Sequence, residues 1–330
     1  MAGKDKMIFS LAITGPTASG KTAVSIELAK RLLAEIICCD SMQIYKEMDI
    51  GTAKATPEER AAVPHCLLDF LSPSEEFSAE EYRTLAMASA EEISSRGKIP
   101  MFVGGTGLYI DTVMRSRVDG VPESSREYRD KIMSEIKTDS DITMLWQRLY
   151  EVDPVSADAI HKNNVRRVIR ALEIYDTTGK PKSYFDNLSK SENSDIRVGM
   201  ITLDFHNREN LYSRCDRRVD EMIAAGLRDE VKSLYERGLL PRSSTASQAI
   251  GYKEMLSYID GEISLAEAIE QIKLATRRYA KRQLTWFRHE KDAYHLFVDD
   301  EDGRMRDYDD VIAEAESCAA RFIFQFRKRT

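Results

Sequence analysis

MIFSLAITGPTASGKTAVSIELAKRL, residues 7–32, decides the fold class of this chain. Met7 to Thr14 is a short apolar run ending at Gly15, which reads as a strand. From Thr22 to Leu33 the spacing becomes helical: Val24, Leu28 and Leu32 recur at i+4, and Glu27 and Arg31 are placed to pair on the other side. Between the two, GPTASGKT (15–22) matches the pattern G-x-x-x-x-G-K-S/T. A glycine loop between strand and helix surrounds phosphate oxygens with backbone N–H groups and a helix N-terminus. Lys21 adds a point charge, and the Thr22 hydroxyl can join the shell of a Mg²⁺ ion. The usual occupant of such a loop is ATP or GTP, but the cradle recognises phosphate and not the rest of the molecule. The competing reading, a chance glycine turn, is disfavoured by the flanking strand and helix.

Working outward, AEIICC ends at Asp40, HCLLDFL (65–71) is a third candidate strand, and IPMFVGG (99–105) a fourth. Ser78 and Glu81 form a capping box for a helix over 79–96 that closes at Gly97. Strands alternating with helices at this spacing predict a parallel, doubly wound α/β sheet of the P-loop kind. From about Val118 to Arg197 the chain is polar and helical, with Trp146, Leu149, Val168, Ile169 and Leu172 as core candidates. DGVPESS and NLSKSENSD read as its connections, so 118–197 is expected to be a helical insertion between core segments 1–117 and 198–330. RVGMITLDF resumes a strand, and a helix from about Glu209 runs toward Gly226. The last long helix is expected to start at Ser264, with Glu267 completing a second box, and AYHLFVDD to be the final strand.

The chain has 330 residues, 42% of them hydrophobic, enough to bury a large core. With 31% charged residues and no long apolar run it reads as soluble, without a targeting segment at its start. Five cysteines without C-x-x-C spacing fit a reducing cytoplasm and neither a disulfide framework nor a zinc site. His65 has no second ligand at metal-binding spacing and reads as structural. A net charge of −7 excludes a wholly basic nucleic-acid protein. Two local clusters run the other way: TRRYAKRQLTWFRH (276–289) carries Arg277, Arg278, Lys281, Arg282 and Arg288, and HKNNVRRVIRAL (161–172) carries Lys162, Arg166, Arg167 and Arg170, neither with an acid. Their bland alternative is a solvated helix face.

Asp40 and Ser41 end the second strand, at the sheet edge where ligands of open parallel sheets sit. An acid there can hold Mg²⁺ or act as a general base, or merely begin a turn. Thr106, within GGTG, follows the fourth strand to the same edge. Arg214 and Arg218 lie four apart, spaced to grip one anion, while Arg217 is expected to point elsewhere. Pairing of this stripe with Asp216 and Asp220 is the alternative.

Taken together these segments resemble one family, the bacterial tRNA dimethylallyltransferases, also called tRNA isopentenyltransferases. The resemblance rests on GPTASGKT, DSMQIYKEMDIGTAK, PHCLLDF, IPMFVGGTGLYI, DP-x-SA-x-x-IH-x-NN-x-RRVIRALEIY with TGKP, GL-x-DEV, QAIGYKE and TRRYAKRQLTWFR, in one order over nearly the whole chain. One departure is Cys66, where relatives commonly carry a second histidine. The resemblance implies transfer of a dimethylallyl group from dimethylallyl diphosphate to the N6 amine of the adenosine immediately 3′ of a tRNA anticodon. It implies a diphosphate site at Gly15, Pro16, Thr17, Ala18, Ser19, Gly20, Lys21 and Thr22, with Arg214 and Arg218, and a Mg²⁺ at Thr22. Asp40 would be the base, and Thr106 and Arg218 would contact the diphosphate. tRNA contacts are implied at Asp40, Ser41, Met42, Gln43, Thr106, Arg129, Arg166, Arg167, Val168, Ile169, Arg170, Gln248, Gly251, Lys253, Arg278 and Arg282. The insertion would clamp the anticodon stem-loop, and a monomer suffices.

Three rivals are weaker. A P-loop kinase of a small metabolite has no need of the arginine-rich insertion. A prenyltransferase of free adenine nucleotides lacks the tRNA-holding parts, and an RNA-binding module with a vestigial loop has no reason to keep Lys21, Thr22 and Asp40.

Overall fold

The computed structural model describes residues 7–115, 120–191 and 195–328. The first six residues, and parts of the connections DGVPESS and NLSKSENSD, lie outside them. Two compact units emerge: one runs through Met114 and resumes at Ile196, and the other spans Arg115–Asp195.

The first unit is built on a six-stranded sheet in the order β3-β2-β4-β1-β5-β6, with every pairing parallel. Its strands are β1 (Ile8–Thr14), β2 (Ala34–Cys38), β3 (His65–Cys66), β4 (Ile99–Val103), β5 (Ile196–Asp204) and β6 (Tyr294–Phe297). Parallel strands need crossovers, and helices supply them on both faces. Along β1, Leu11 and Ile13 enter one core with Leu28, Leu203, Leu284 and Ile312, while Ala12 enters another with Ile37, Tyr82, Phe102 and Phe287. That alternation is the period-two signature of a sheet buried on both sides.

Helices α1 (Lys21–Leu32) and α14 (Tyr308–Arg327) share the first core, and α3 (Ala79–Ser95) and α4 (Gly107–Met114) the second. The short α2 (Pro57–Ala62) precedes β3. The expected Glu27–Arg31 pair forms on α1 at 2.9 Å, and the boxes at Ser78 and Ser264 are both closed. A third apolar cluster joins α10 (Arg208–Ala224), α11 (Leu227–Glu236), α12 (Tyr252–Ile259) and α13 (Leu265–Phe287) to Ile44, Tyr45 and Met48 of the loop after β2.

Two expectations need correction. HCLLDFL is a strand only at its first two residues, because Leu67 and Asp69 adopt φ of 56° and 60°. That turn delivers the Asp69 carboxylate to the buried ammonium of Lys54, 2.7 Å away. The helix from Ser264 is also not the last long one: α14 follows, burying Val311, Ile312, Ala315, Cys318 and Ala319 along one helical stripe.

The second unit contains α5 (Arg126–Glu135), α6 (Asp139–Val152), α7 (Pro154–Ala159), α8 (Val165–Thr178) and α9 (Lys182–Ser191). Leu149, Ala157, Ile160, Val168 and Leu172 form its centre, and the Trp146 indole donates to the carbonyls of Ala157 and Ile160. All five cysteines are free. No helix among the described residues is long and apolar enough to cross a membrane.

Candidate active site: an anion cradle facing a carboxylate

The order of the strands changes direction at β1, and the loops leaving β1, β2 and β4 converge at their carboxyl ends. Gly15 leaves β1 at φ 133°, where a Cβ would sit 2.6 Å from the Leu203 carbonyl. Ala18 and Gly20 are left-handed, and Gly20 opens α1 with no side-chain cap, so the first N–H groups of the helix face the crevice unsatisfied by the helix itself. Two other loop donors are spent within the protein: Thr17 N–H goes to the Gln283 side chain at 2.8 Å and Ser19 N–H to the Pro16 carbonyl at 3.3 Å. The Ser19 hydroxyl is buried with no hydrogen-bond partner, an unused oxygen within the cradle.

Three cations surround this loop. Lys21 folds back to the Pro16 carbonyl at 2.7 Å, Arg214 Nε donates to Ala18 O at 2.7 Å, and Arg218 donates to the Thr17 hydroxyl at 3.1 Å. The arginine pair is not neutralised by its neighbours in sequence: Asp216 binds Arg277 and Asp220 binds Lys273. Burial, then the charge of Arg218, pulls the Lys21 ammonium down to about 7, against an opposing pull from Asp40. Burial likewise lowers both guanidinium groups, with Arg217 adding to the effect on Arg214. Desolvated cations crowded together favour an anion beside them.

On the facing edge, Asp40 Oδ1 accepts the Met42 N–H at 2.9 Å, which holds the carboxylate at the end of β2. Thr106 Oγ1 accepts the Ser41 N–H at 3.0 Å, and its own N–H reaches the Cys39 carbonyl at 3.2 Å. The two loops touch so closely at Gly104 that a Cβ there would lie 2.0 Å from Cys39 O. Tyr279 of α13 lies by Thr106 and Asp40, and burial first, then the Asp40 charge, raises its phenol. A cavity of about 650 Å³ connects both edges, lined by Lys21, Thr22, Asp40, Arg218 and Tyr279, with Val219, Met222, Ile250 and Ile272 as an apolar wall.

Met42, Gln43 and Gln248 also line this cavity, as does Arg217, whose long side chain overcomes the step of about 100° that should have turned it away. The loop holding Gln43 is fixed from α11. Glu230 accepts the N–H groups of Asp49, Ile50 and Gly51 at 2.8 to 3.1 Å, together with the Tyr252 hydroxyl at 2.5 Å.

Arg282 lines the cavity that holds Asp40 as well as an open surface cavity formed with Arg278, Lys281, Thr285, Trp286 and His289, whereas Arg277 and Arg288 of the same cluster are tied to Asp216 and Asp204. Gly251 is buried at φ 94° and Lys253 is exposed on α12. In the helical unit, Arg129 lies on α5, and Arg166 and Arg167 are exposed. Val168 and Ile169 are 1% exposed and pack within the helical unit, and the half-buried Arg170 is turned to Glu173 and the Pro122 carbonyl. Sequence reading passed over Gln283 and Tyr279. Their trace was the run Thr276, Tyr279, Gln283 and Phe287, spaced three and four apart on one face of α13.

Comparison with known proteins adds an independent line. The model of the family described as IPP transferase matches residues 43–290. A tRNA dimethylallyltransferase of Thermoanaerobacter sp. is 48% identical over 289 residues, 87% of this chain and 91% of that protein. The solved tRNA isopentenylpyrophosphate transferase of Bacillus halodurans superposes with a TM-score of 0.71 at 43% identity, over 98% of this chain and 99% of its own. A eukaryotic dimethylallyltransferase, described as acting on tRNA, superposes at 0.72 with 34% identity, over 88% and 74%. By the extent of these matches, the chain belongs to the IPP transferase family.

Proposed function

We propose that this protein transfers a dimethylallyl group from dimethylallyl diphosphate to the N6 amine of the adenosine immediately 3′ of the anticodon in tRNA. The observation that carries the proposal is the single cavity in which the Lys21–Arg218 cradle faces Asp40. The names of the relatives support the choice of donor and acceptor.

The diphosphate occupies the loop from Gly15 to Thr22, held by N–H groups at the start of α1, by Lys21 and by Arg214 and Arg218. Its charge restores the full ammonium of Lys21 and stabilises the diphosphate as it departs. The Thr22 hydroxyl, on the wall of the cavity, fits a Mg²⁺ held largely by substrate oxygens, as that ion prefers. Bound there, the ion supplies further neutralisation of the leaving group. The allylic carbon loses its bond to diphosphate oxygen and gains one to N6. The amine is a poor nucleophile because its lone pair is delocalised, and its proton passes to Asp40.

An adenine in an anticodon loop reaches such a cavity only after leaving its stack. Exposed Arg166 and Arg167 of the helical unit, and Arg278 and Arg282 of α13, meet the phosphates of the stem-loop. This work belongs in the cytoplasm, and one copy of the chain is sufficient for it. Incubation with radiolabelled dimethylallyl diphosphate and either tRNA or free AMP tests the proposal. Label should enter tRNA alone; label in AMP alone, or phosphate transfer from ATP, would overturn it.

A further inference from the structure

Gln283 sits on the inner face of α13 with 6% of its surface exposed. Its two amide arms reach different loops: Oε1 accepts the Thr17 N–H and Nε2 donates to the Gly105 carbonyl, each at 2.8 Å. Chemistry allows only this orientation, since a backbone N–H can only donate and a carbonyl only accept. There is no slack, because a Cβ on Gly105 would lie 2.2 Å from Nε2. The two loops leave adjacent strands, β1 and β4.

What each loop carries matters more than the bonds themselves. Thr17 holds Arg218 through its hydroxyl at 3.1 Å, on the side of the cradle. Thr106, next to Gly105, holds the Ser41 N–H at 3.0 Å, on the side of Asp40. One line of contacts therefore runs from Arg218 through Thr17, Gln283, Gly105, Thr106 and Ser41 to the carboxylate. We infer that Gln283 is a positioning residue that sets the spacing between the phosphate-holding loop and the Asp40–Thr106 edge. The inference rests on the functional reading above, in which the leaving group occupies one edge and the accepting base the other.

Either substrate can bind its own edge without that spacing. Only the transition state needs both edges in register, so Gln283 acts on turnover and little on affinity. A misplacement of about 1 Å costs on the order of 10²-fold in rate.

The test compares the wild-type protein with Gln283→Met, which keeps the volume and loses both bonds, and Gln283→Glu, which sets an oxygen against the Gly105 carbonyl. With labelled dimethylallyl diphosphate and tRNA, kcat should fall about 10²-fold in both variants, while both KM values stay within about threefold and both variants still fold and unfold cooperatively, at a midpoint lowered by the buried partners left unpaired. Turnover near wild type in both variants would overturn the inference. So would a rise in KM for the diphosphate at unchanged kcat, which would make Gln283 a simple phosphate-loop support. Failure of both variants to fold would also sink it, since the residue would then serve the fold alone. Absence of prenyl transfer by the wild-type protein in the same assay would instead strike the functional reading, and the inference with it.

Discussion

Asp40 is held through one carboxylate oxygen, which accepts the Met42 N–H at 2.9 Å, and that bond survives replacement by an amide. Asp40→Asn therefore leaves the loop in place and removes only the basic function proposed for Asp40. Turnover should fall by about 10²- to 10⁴-fold, the range for a positioned base, with both Michaelis constants near wild type. Steady-state kinetics with labelled dimethylallyl diphosphate checks this, and turnover within tenfold of wild type would remove Asp40 as the base.

At the scale of elements, α11 and α13 do what their sequences only hint at. Glu230 of α11 collects three successive N–H groups of the loop at Asp49–Gly51. Glu230→Ala leaves those donors to water or to nothing, at a cost of about 1–3 kcal/mol. Urea unfolding measures that loss, and limited proteolysis should cut first near the freed loop. An unchanged midpoint and cleavage pattern would show that the apolar packing of Ile44, Tyr45 and Met48 holds the loop unaided. The basic cluster of α13 and its C-cap divides its cations: Arg277 and Arg288 close ion pairs within the protein, Arg278 lines an open surface cavity, and Arg282 lines both that cavity and the one that holds Asp40. Alanine at both Arg278 and Arg282 should lower the slope of log K for tRNA against log salt by about one to two. Titrations across a salt series give that slope, and an unchanged value would place this face of the helix outside the RNA contact.

For the whole molecule, buried or half-buried carboxylates tie the architecture to pH. Burial alone would raise Glu35, Asp69 and Asp153, but bonds from Lys98 and Arg96, from Lys54 and Arg60, and from Ser156 and Ser183 leave all three below their ordinary values. The unfolded chain therefore binds more protons in acid, and stability rises with pH through that range. The contribution is present above the ordinary carboxylate value near about 4 and is lost as pH falls below it. Asp153 lies in the helical unit and the other two in the sheet unit, so both units should lose thermal stability together in acid. Melting curves from neutral pH downward test this; a flat midpoint through the carboxylate range would refute it.

Local pattern determined a large part of this protein. The strand, glycine loop and helix over 7–32 form as read, and the capping boxes at Ser78 and Ser264 are closed. These features depend on residues within a few positions of one another, so the sequence alone displays them. The parallel alternation of strands and helices followed from the same short-range signals. Tertiary structure decided the rest. HCLLDFL lost most of its strand to a turn that serves a buried lysine fifteen residues earlier, and α14, which the sequence reading passed over, covers the first core. Gln283 bonds Thr17 across 266 positions and Gly105 across 178, and Glu230 reaches the loop at Asp49 across 181. A side chain's own neighbours carry no record of such partners, because the sheet alone brings the loops together. GPTASGKT formed the glycine loop between strand and helix that was read from it; the folding of α10 over that loop decided which cations surround it, and the parallel sheet set Asp40, at the end of β2, on the facing edge.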